Sequence, residues 1–204
     1  MLFNLVRIVL LLIISVLVVL KIKKTNIVPK KTVSVFIIVL CLGLIAVSGM
    51  FPVENSFINF KSPESVFNYT NFGKINDVLY GEESCAVIYS SKNSTNGYYI
   101  MPKAEKGYKI PSCVSAKRIS HKFDKSGNFD VYKVLGTNDY YVIGTVLSNS
   151  DRQNIADNNN NPVKNIVTEM GNTKTKTVFI YSYVKNFANE YYFIINGKKT
   201  IIAD

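Results

Sequence analysis

The sequence predicts two unlike parts, an N-terminal transmembrane helical hairpin and a mainly-β extracytoplasmic domain. Three observations predict this fold class. Two apolar runs flank a lysine-rich segment near the N-terminus, all 14 acidic residues lie at or after Glu54, and short alternating segments separated by turn residues fill the second half. We expect a hairpin over residues 1–51, a linker over 52–61, and over 62–204 an antiparallel meander, sandwich or barrel-like fold with one short helix at its start.

The second apolar run is the clearer of the two predicted spans. Val33 to Phe51 contains nineteen residues without a charge, and a helix of that length is about 28 Å long, close to the thickness of a bilayer's hydrocarbon core. The first run, Ile8 to Leu20, has only thirteen residues, so a full span must include Arg7. The long arginine stem can carry its charge to the membrane interface. We therefore expect two spanning helices.

The segment between the runs sets the predicted topology. Residues 21–32 contain no acid and five lysines: Lys21, Lys23, Lys24, Lys30 and Lys31. Lysines in short loops stay on the cytoplasmic side, so everything after about Pro52 should lie outside the cell. The chain is therefore expected to be a multi-pass protein of the cell membrane. Six of the basic residues behind the net charge of +10 lie in the first fifty residues. More than half of the net charge behind the pI of 9.4 is therefore explained by the lysine pattern of a membrane protein, and no nucleic acid partner is expected.

Two processing alternatives stay open at this stage. Ala46, Val47 and Ser48 have the small-residue spacing that signal peptidase recognises, and cleavage after Ser48 would release the exterior domain. Cys41 suggests lipidation, but Leu40 precedes it where a small residue is required, and Cys41 lies in the middle of the span. An intact hairpin, with Cys41 as a small apolar residue, is the preferred interpretation.

The exterior part begins with a helix signal and continues as strands. Ser62, Pro63 and Glu64 combine an N-cap residue, a first-turn proline and an early acid, so we expect a short helix ending near Gly73. The predicted strands are INDVLYG, SCAVIYSS, GYYIMPK, GYKIPS, FDVYKVL, YYVIGTVL, TVFIYSYV, YYFIIN and KTIIA. The expected hairpin connections are 96–97, 105–107, 125–127, 136–139 and, as the strongest signal, Asn196-Gly197. The segments 113–125 and 148–176 have no assignment.

The segments FKSPESVFNY, SCAVIYSS and KGYKIPS, within residues 57–111, resemble stretches of uncharacterised membrane-anchored envelope proteins of low-GC Gram-positive bacteria. The shared motifs are helix-cap and strand patterns. The resemblance implies a setting in the bacterial cell envelope, and it carries over no particular activity.

The sequence offers no catalytic set and no cofactor motif. The single histidine, His121, stands among basic residues and is interpreted as a solvated side chain at a strand edge. Adjacent Glu82 and Glu83 would point to opposite faces of a strand, which disfavours a glycosidase pair. Ser182 and Lys185 match a fragment of a penicillin-binding signature, but the order of its motifs is reversed here. We therefore expect no enzyme, and neither catalytic nor cofactor-binding residues.

The segment 157–162 is similar to the start of a calcium loop. Its sixth position, however, is Pro162 where such a loop needs glycine, and its twelfth is Thr168 where it needs glutamate. We interpret the segment as a polar turn and expect no metal site.

One basic cluster is a candidate contact for an anionic surface, such as lipid headgroups or an envelope polymer. It consists of Lys117, Arg118, Lys122 and Lys125. The preferred alternative is a strand edge that lysines protect from aggregation. Tyrosine pairs at 98–99, 140–141 and 191–192 would each place one ring inward and one outward, and the outward rings could contact a partner.

Three function classes follow from these observations. The leading one is a membrane-anchored extracytoplasmic binding or assembly module of the bacterial envelope, without catalysis. The second is a sensor or accessory subunit that contacts another membrane protein through its two helices. The third and least favoured is an extracytoplasmic enzyme. Cys85 and Cys113 could form a disulfide outside the cell, but two buried free thiols are the preferred expectation.

Overall fold

The computed structural model describes residues 9, 12–18, 20–21, 30–92, 95–124, 127–150, 153–169, 175–187 and 190–203. The chain divides into two compact units, Met1–Ile58 and Asn59–Asp204.

Most of the described residues of the first unit are helical. Helix α1 is Lys30–Met50, and residues 12–18, 20 and 21 are also helical. A 3-10 turn, Val53–Ser56, follows α1. Lys30 and Lys31, expected in the loop, belong to the first turn of α1, and Lys23 and Lys24 lie outside the described residues. Among the residues that the structure describes, none of the helices is both long enough and apolar enough to cross a membrane.

The second unit begins with the expected short helix, α2, which is Pro63–Thr70. The Ser62 hydroxyl accepts a hydrogen bond from the backbone N–H of Ser65, and the Ser65 hydroxyl accepts one from the backbone N–H of Ser62 (both 3.3 Å). This reciprocal capping satisfies two backbone donors at the helix start, and Pro63 fits the first turn because it has no N–H to satisfy. The sequence-based prediction of the helix start is confirmed.

The rest of the unit is mainly β, as predicted, and its paired strands are antiparallel. The strands are β1 (Lys74–Tyr80), β2 (Ser84–Ser90), β3 (Asn96–Ala104), β4 (Gly107–Tyr108), β5 (Ala116–Asp124), β6 (Gly127–Val134), β7 (Asp139–Ser148), β8 (Ile155–Asp157), β9 (Val163–Glu169), β10 (Lys176–Lys185), β11 (Tyr191–Ile195) and β12 (Lys198–Ala203). They form a first sheet in the order β1-β2-β3-β4, a central sheet in the order β5-β6-β7-β10-β9, and a third sheet in the order β12-β11-β8.

The central sheet has a hydrophobic core on each face. Strand β10 shows why: Val178 and Ile180 pack with Phe193 of the third sheet, whereas Phe179 and Tyr181 pack with the side chains of the first sheet. Successive side chains of a strand point to opposite faces, so the continuous apolar run TVFIYSYV supplies both cores. The first sheet therefore lies against one face of the central sheet and the third sheet against the other.

The turn predictions are partly confirmed. Asn196 and Gly197 have φ angles of 51° and 82°, the two positive values that a type I′ hairpin turn between β11 and β12 requires. The Asn96-Gly97 prediction is wrong, because both residues pair with β2 inside β3. Asn96 and Gly97 start strand β3, and the connection from β2 lies before them. Lys125 and Ser126 of the predicted 125–127 turn lie outside the described residues.

Three strands were not predicted from the sequence. Strand β5 lies in the unassigned segment 113–125, and β8 and β9 lie in the unassigned segment 148–176. The predicted strand GYKIPS is shorter than expected, since only Gly107 and Tyr108 pair with β3.

Candidate functional site

An open groove of about 670 Å³ between the first sheet and the β9 edge of the central sheet is the candidate functional site. It is lined by Phe72, Gly73, Lys74, Asn76, Ser90, Ser91, Lys92, Asn96, Ile166 and Thr168. The volume is in the range of small-ligand sites in proteins, which lie between about 300 and 1,000 Å³. Residues of both sheets contribute to this groove, which we call the β3–β9 groove.

Strand register explains why polar side chains line the groove together. Lys74 and Asn96 both pair with Ser90, so their side chains project from the same face of the first sheet. An irregularity between Ile75 and Asp77 leaves Asn76 without a register partner on β2. The extra residue brings the Asn76 amide within hydrogen-bond distance of the Ser90 hydroxyl.

A chain of hydrogen bonds fixes these side chains across four strands. Asn76 Nδ2 donates to Ser90 Oγ at 2.6 Å, Ser90 Oγ donates to Asn96 Oδ1 at 2.8 Å, and Asn96 Nδ2 donates to Thr168 Oγ1 on β9 at 3.0 Å. Side chains held in one geometry lose less conformational entropy when a ligand binds. The groove is therefore preorganised.

The charge of the groove is positive. Lys74 and Lys92 are exposed, and neither has an ion-pair partner among the described residues. None of the lining residues is acidic. Phe72 adds an apolar ring that is 68% exposed. The arrangement can hold a polar anion but contains no pair of groups that could transfer a proton at neutral pH.

The structure separates the predicted basic cluster on β5. Strand β5 is an edge of the central sheet, and an irregularity between Arg118 and Ser120 changes its register. Lys117 and Lys122 pair with positions that share one face of β6, whereas Arg118 pairs with a position on the other face. Lys125 lies outside the described residues. Lys117 and Lys122 lie on an edge strand, as the protective strand-edge interpretation requires.

Arg118 and the single histidine share one acidic partner. Asp130 Oδ1 lies 3.3 Å from Arg118 Nη1 and 2.8 Å from His121 Nδ1. The side chains of Arg118 and His121 are about half exposed, at 53% and 45%. This is a solvated surface group on an edge strand, as expected for His121.

Asp139, whose carboxylate is the most buried among the described residues of the second unit, is saturated with hydrogen bonds. It accepts from the Ser84 hydroxyl (2.6 Å), the Glu83 N–H (2.9 Å), the Glu82 N–H (3.3 Å) and the Tyr183 hydroxyl (2.8 Å). Burial alone would raise the pKa of Asp139, but the hydrogen bonds from Ser84, Glu83, Tyr183 and Glu82 together lower it below its ordinary value. Burial and the bond to Asp139 raise the pKa of Tyr183 to about 12. The cluster anchors the β1–β2 turn to the central sheet.

The segment 157–162, whose sequence is similar to the start of a calcium loop, is a turn closed by hydrogen bonds to Asp157. Asp157 Oδ1 accepts from the N–H groups of Asn159 (3.1 Å) and Asn161 (2.8 Å), and Oδ2 accepts from Asn161 Nδ2 (2.5 Å) and the Tyr191 hydroxyl (2.8 Å). Both carboxylate oxygens already face donors, which a cation would have to displace. Within the described part of the chain, no group of three His, Cys, Asp or Glu side chains could hold a metal ion.

All three cysteines are free thiols. Of the two that were expected to be buried, Cys85 and Cys113, only one is. Cys85 is buried as expected, and burial raises the pKa of its thiol to about 12. Cys113 is exposed rather than buried, because it follows β4 in a connection on the surface. Cys41 is half-buried in α1.

The groove residues were not found from the sequence. Lysine, asparagine, serine and threonine are ordinary surface residues, and only the register of β1, β2, β3 and β9 brings them together. Comparison with known proteins gives no match to a family model, to a curated protein or to a solved structure.

Proposed function

We propose that this chain is a membrane-anchored extracytoplasmic binding module of the cell envelope, without catalytic activity. The single observation that carries the proposal is the β3–β9 groove, which is open, preorganised by hydrogen bonds across four strands, and positively charged. The ligand would be an envelope component or a segment of a neighbouring protein that the groove holds near the membrane.

The proposed membrane anchor rests on the N-terminal sequence. The nineteen uncharged residues from Val33 to Phe51 follow a segment with five lysines and no acid. Along α1 large apolar side chains are exposed, with Phe36 at 68% and Val39 at 61%. An apolar surface of this kind is stable when lipid or another apolar helix covers it.

The proposed lack of catalysis is supported by the buried polar groups, which are either inaccessible or already hydrogen-bonded within the chain. Ser84 is fully buried, so its hydroxyl cannot reach a substrate, and Ser182 is also buried and donates to the Pro162 carbonyl at 3.1 Å. The carboxylates of Asp139 and Asp157 are occupied by donors from their own chain. A catalytic nucleophile or base needs an accessible position beside a substrate.

A photo-crosslinking experiment tests the proposal in cells that produce the full chain. A benzophenone amino acid replaces Phe72 at the groove, and in a control chain it replaces Phe123, which is 77% exposed on β5. Both positions are accessible aromatic residues, so the two chains differ mainly in location. Irradiation should attach a discrete envelope component at position 72 only. Equal products from both positions, or no product at position 72, would contradict binding through the groove.

A second candidate function is an accessory subunit of a membrane complex. The exposed apolar side chains of α1 favour it, because a partner helix could cover them as well as lipid does. Purification of the intact chain from detergent-solubilised membranes separates the two functions. A stoichiometric membrane protein that is retained by the full chain, and equally by a chain with groove substitutions, would favour the accessory subunit.

A further inference from the structure

We propose that the ligand of the β3–β9 groove is an anionic, hydroxyl-bearing chain, such as a phosphate- or carboxylate-bearing glycan or polyol. This inference rests on the proposed function, which concerns the groove as a binding site, and adds the chemistry of what binds there.

The charges on the groove favour an anion. Lys74 lies at the start of β1 and Lys92 in the connection after β2, and both line the groove with their side chains exposed. Asp77, the acid next to the lining residue Asn76, is already paired with Lys164 at 2.8 Å. Two ammonium groups without an ion-pair partner among the described residues attract a ligand with negative charges, and each can donate up to three hydrogen bonds.

The uncharged polar groups favour hydroxyls on the same ligand. After the bond to Ser90, the Asn76 amide keeps one N–H donor and its carbonyl oxygen, with no other hydrogen bond to a described residue. Thr168 accepts from Asn96 through an oxygen that also carries a donor hydrogen. A ligand with several hydroxyls can donate and accept along its whole length, so it can satisfy groups of both kinds, whereas inorganic phosphate offers its few oxygen and O–H groups at a single point.

The apolar contribution of the groove fits a carbon chain or ring. Phe72 is 68% exposed, and half-buried Ile166 lies on the β9 side. The C–H faces of a sugar or polyol can pack on these side chains while its hydroxyls and anionic groups meet the amides and lysines. An open groove also leaves room for a ligand that extends beyond it.

Direct binding measurements test the ligand class. The full chain is reconstituted in nanodiscs of neutral phosphatidylcholine and titrated calorimetrically with four probes: a short polyglycerol phosphate, a galacturonic acid trisaccharide, the neutral trisaccharide maltotriose, and inorganic phosphate. The phosphate and carboxylate probes distinguish the two anionic sources. We expect at least one of them to bind saturably, and both maltotriose and inorganic phosphate to bind at least about tenfold more weakly than it.

Matched variants separate the groove from general surface charge. The double variant Lys74→Gln/Lys92→Gln should weaken binding of the anionic probe roughly tenfold, as expected for two exposed charge contacts. The control Lys106→Gln/Lys198→Gln also removes two positive charges, but at exposed positions outside the groove, and should leave the affinity for the anionic probe unchanged. Circular dichroism of both variants checks that the fold is retained.

Each outcome separates the two proposals. Equal or stronger binding of maltotriose, or equal losses in the two double variants, would overturn the anionic ligand class while a crosslink at position 72 still supports a binding module. Equal affinity for inorganic phosphate would overturn the hydroxyl-bearing part of the inference. Saturable binding by none of the four probes would overturn the ligand class, and only the additional failure of the crosslink would remove the proposed function.

Discussion

The Ser84 hydroxyl donates a 2.6 Å hydrogen bond to Asp139 Oδ2 from a position 55 residues earlier in the chain. The same hydroxyl lies 2.9 Å from the Tyr141 hydroxyl, and all three residues are buried. Asp139 begins β7 in the central sheet and Ser84 begins β2 in the first sheet. This contact therefore joins two sheets by a charge-assisted bond in a site shielded from water, where such bonds are strongest.

Replacing Asp139 by Asn should destabilise the protein by about 2–3 kcal/mol, because the amide nitrogen cannot accept from the buried donors that the carboxylate now satisfies. The measurement is urea unfolding followed by tyrosine fluorescence, which is available because the chain has 13 tyrosines and no tryptophan. Glu82→Gln is the control. Its side chain pairs with Lys185 in solvent, where water screens the attraction, so this substitution should have little effect on stability. Equal effects of the two substitutions would contradict the anchoring role.

The lowered pKa of Asp139 predicts a pH dependence. The folded pKa lies below the unfolded value of about 4, so the stabilisation is complete above that value and is lost as pH falls through the folded pKa. The difference in unfolding free energy between the native chain and Asp139→Asn should therefore be constant near neutral pH and shrink below about pH 4. A difference that stays constant down to pH 2 would show that the carboxylate's charge contributes nothing.

Gly144 lies directly opposite Phe129 across β6 and β7, and the ring packs over the glycine in the core between the central and third sheets. A Cβ at position 144 would overlap the Phe129 ring, so Gly144→Ala should cost about 1–3 kcal/mol. Adding Phe129→Leu should recover part of this loss, because the smaller side chain leaves room. A double variant whose loss equals the sum of the two single losses would mean that the glycine is not required for this contact.

The Asp157 turn should be independent of calcium. Its carboxylate already accepts from the Asn159, Asn161 and Tyr191 donors, so added calcium or a chelator should leave the midpoint of thermal unfolding unchanged. Asp157→Ala should destabilise the protein by about 2–3 kcal/mol because the buried Tyr191 hydroxyl loses its acceptor. A calcium-dependent rise in the midpoint that Asp157→Ala abolishes would show that the turn is a metal site after all.

The contrast between predicted and unpredicted strands has a physical cause. TVFIYSYV is apolar at successive positions because both faces of β10 are covered, and such a run is visible in the sequence. Strands β5 and β9 are the edges of the central sheet, and β8 is an edge of the third. Edge strands are partly solvated, so AKRISHKFD and VKNIVTE carry lysine and other polar residues and show no clear alternation.

The candidate site could not be predicted for a related reason. Its residues come from β1, β2, β3 and β9, and the contact between Asn96 and Thr168 spans 72 positions of the chain. No local pattern encodes that distance, because it depends on the register between β1, β2 and β3 and on how the first sheet packs on β9. The Asn196-Gly197 turn, by contrast, was predictable because its whole requirement, two adjacent positive φ angles, lies in two residues.

The two cysteines of the second unit should differ in reactivity. In a Cys41→Ser chain, a maleimide should label Cys113 rapidly in the native state, because that side chain is exposed. Cys85 should stay protected, since it is buried and burial raises its thiol pKa to about 12, which keeps it protonated near pH 8. After denaturation without reductant both thiols should react. Labelling of neither would show a disulfide, and rapid labelling of both in the native state would contradict the burial of Cys85.

The proposed topology predicts opposite labelling on the two sides of α1. Single cysteines are placed at Asn26, within the lysine-rich segment, or at Asn55, after α1, in a Cys41→Ser/Cys113→Ser background that retains buried Cys85. A membrane-impermeant maleimide applied to intact cells should reach the cysteine at 55 and not the one at 26, because short loops with many lysines stay on the cytoplasmic side of a membrane. Permeabilised cells provide the control, since both positions should then react. Labelling at 26 but not at 55 in intact cells would reverse the topology, and equal labelling at both would contradict a membrane anchor between them.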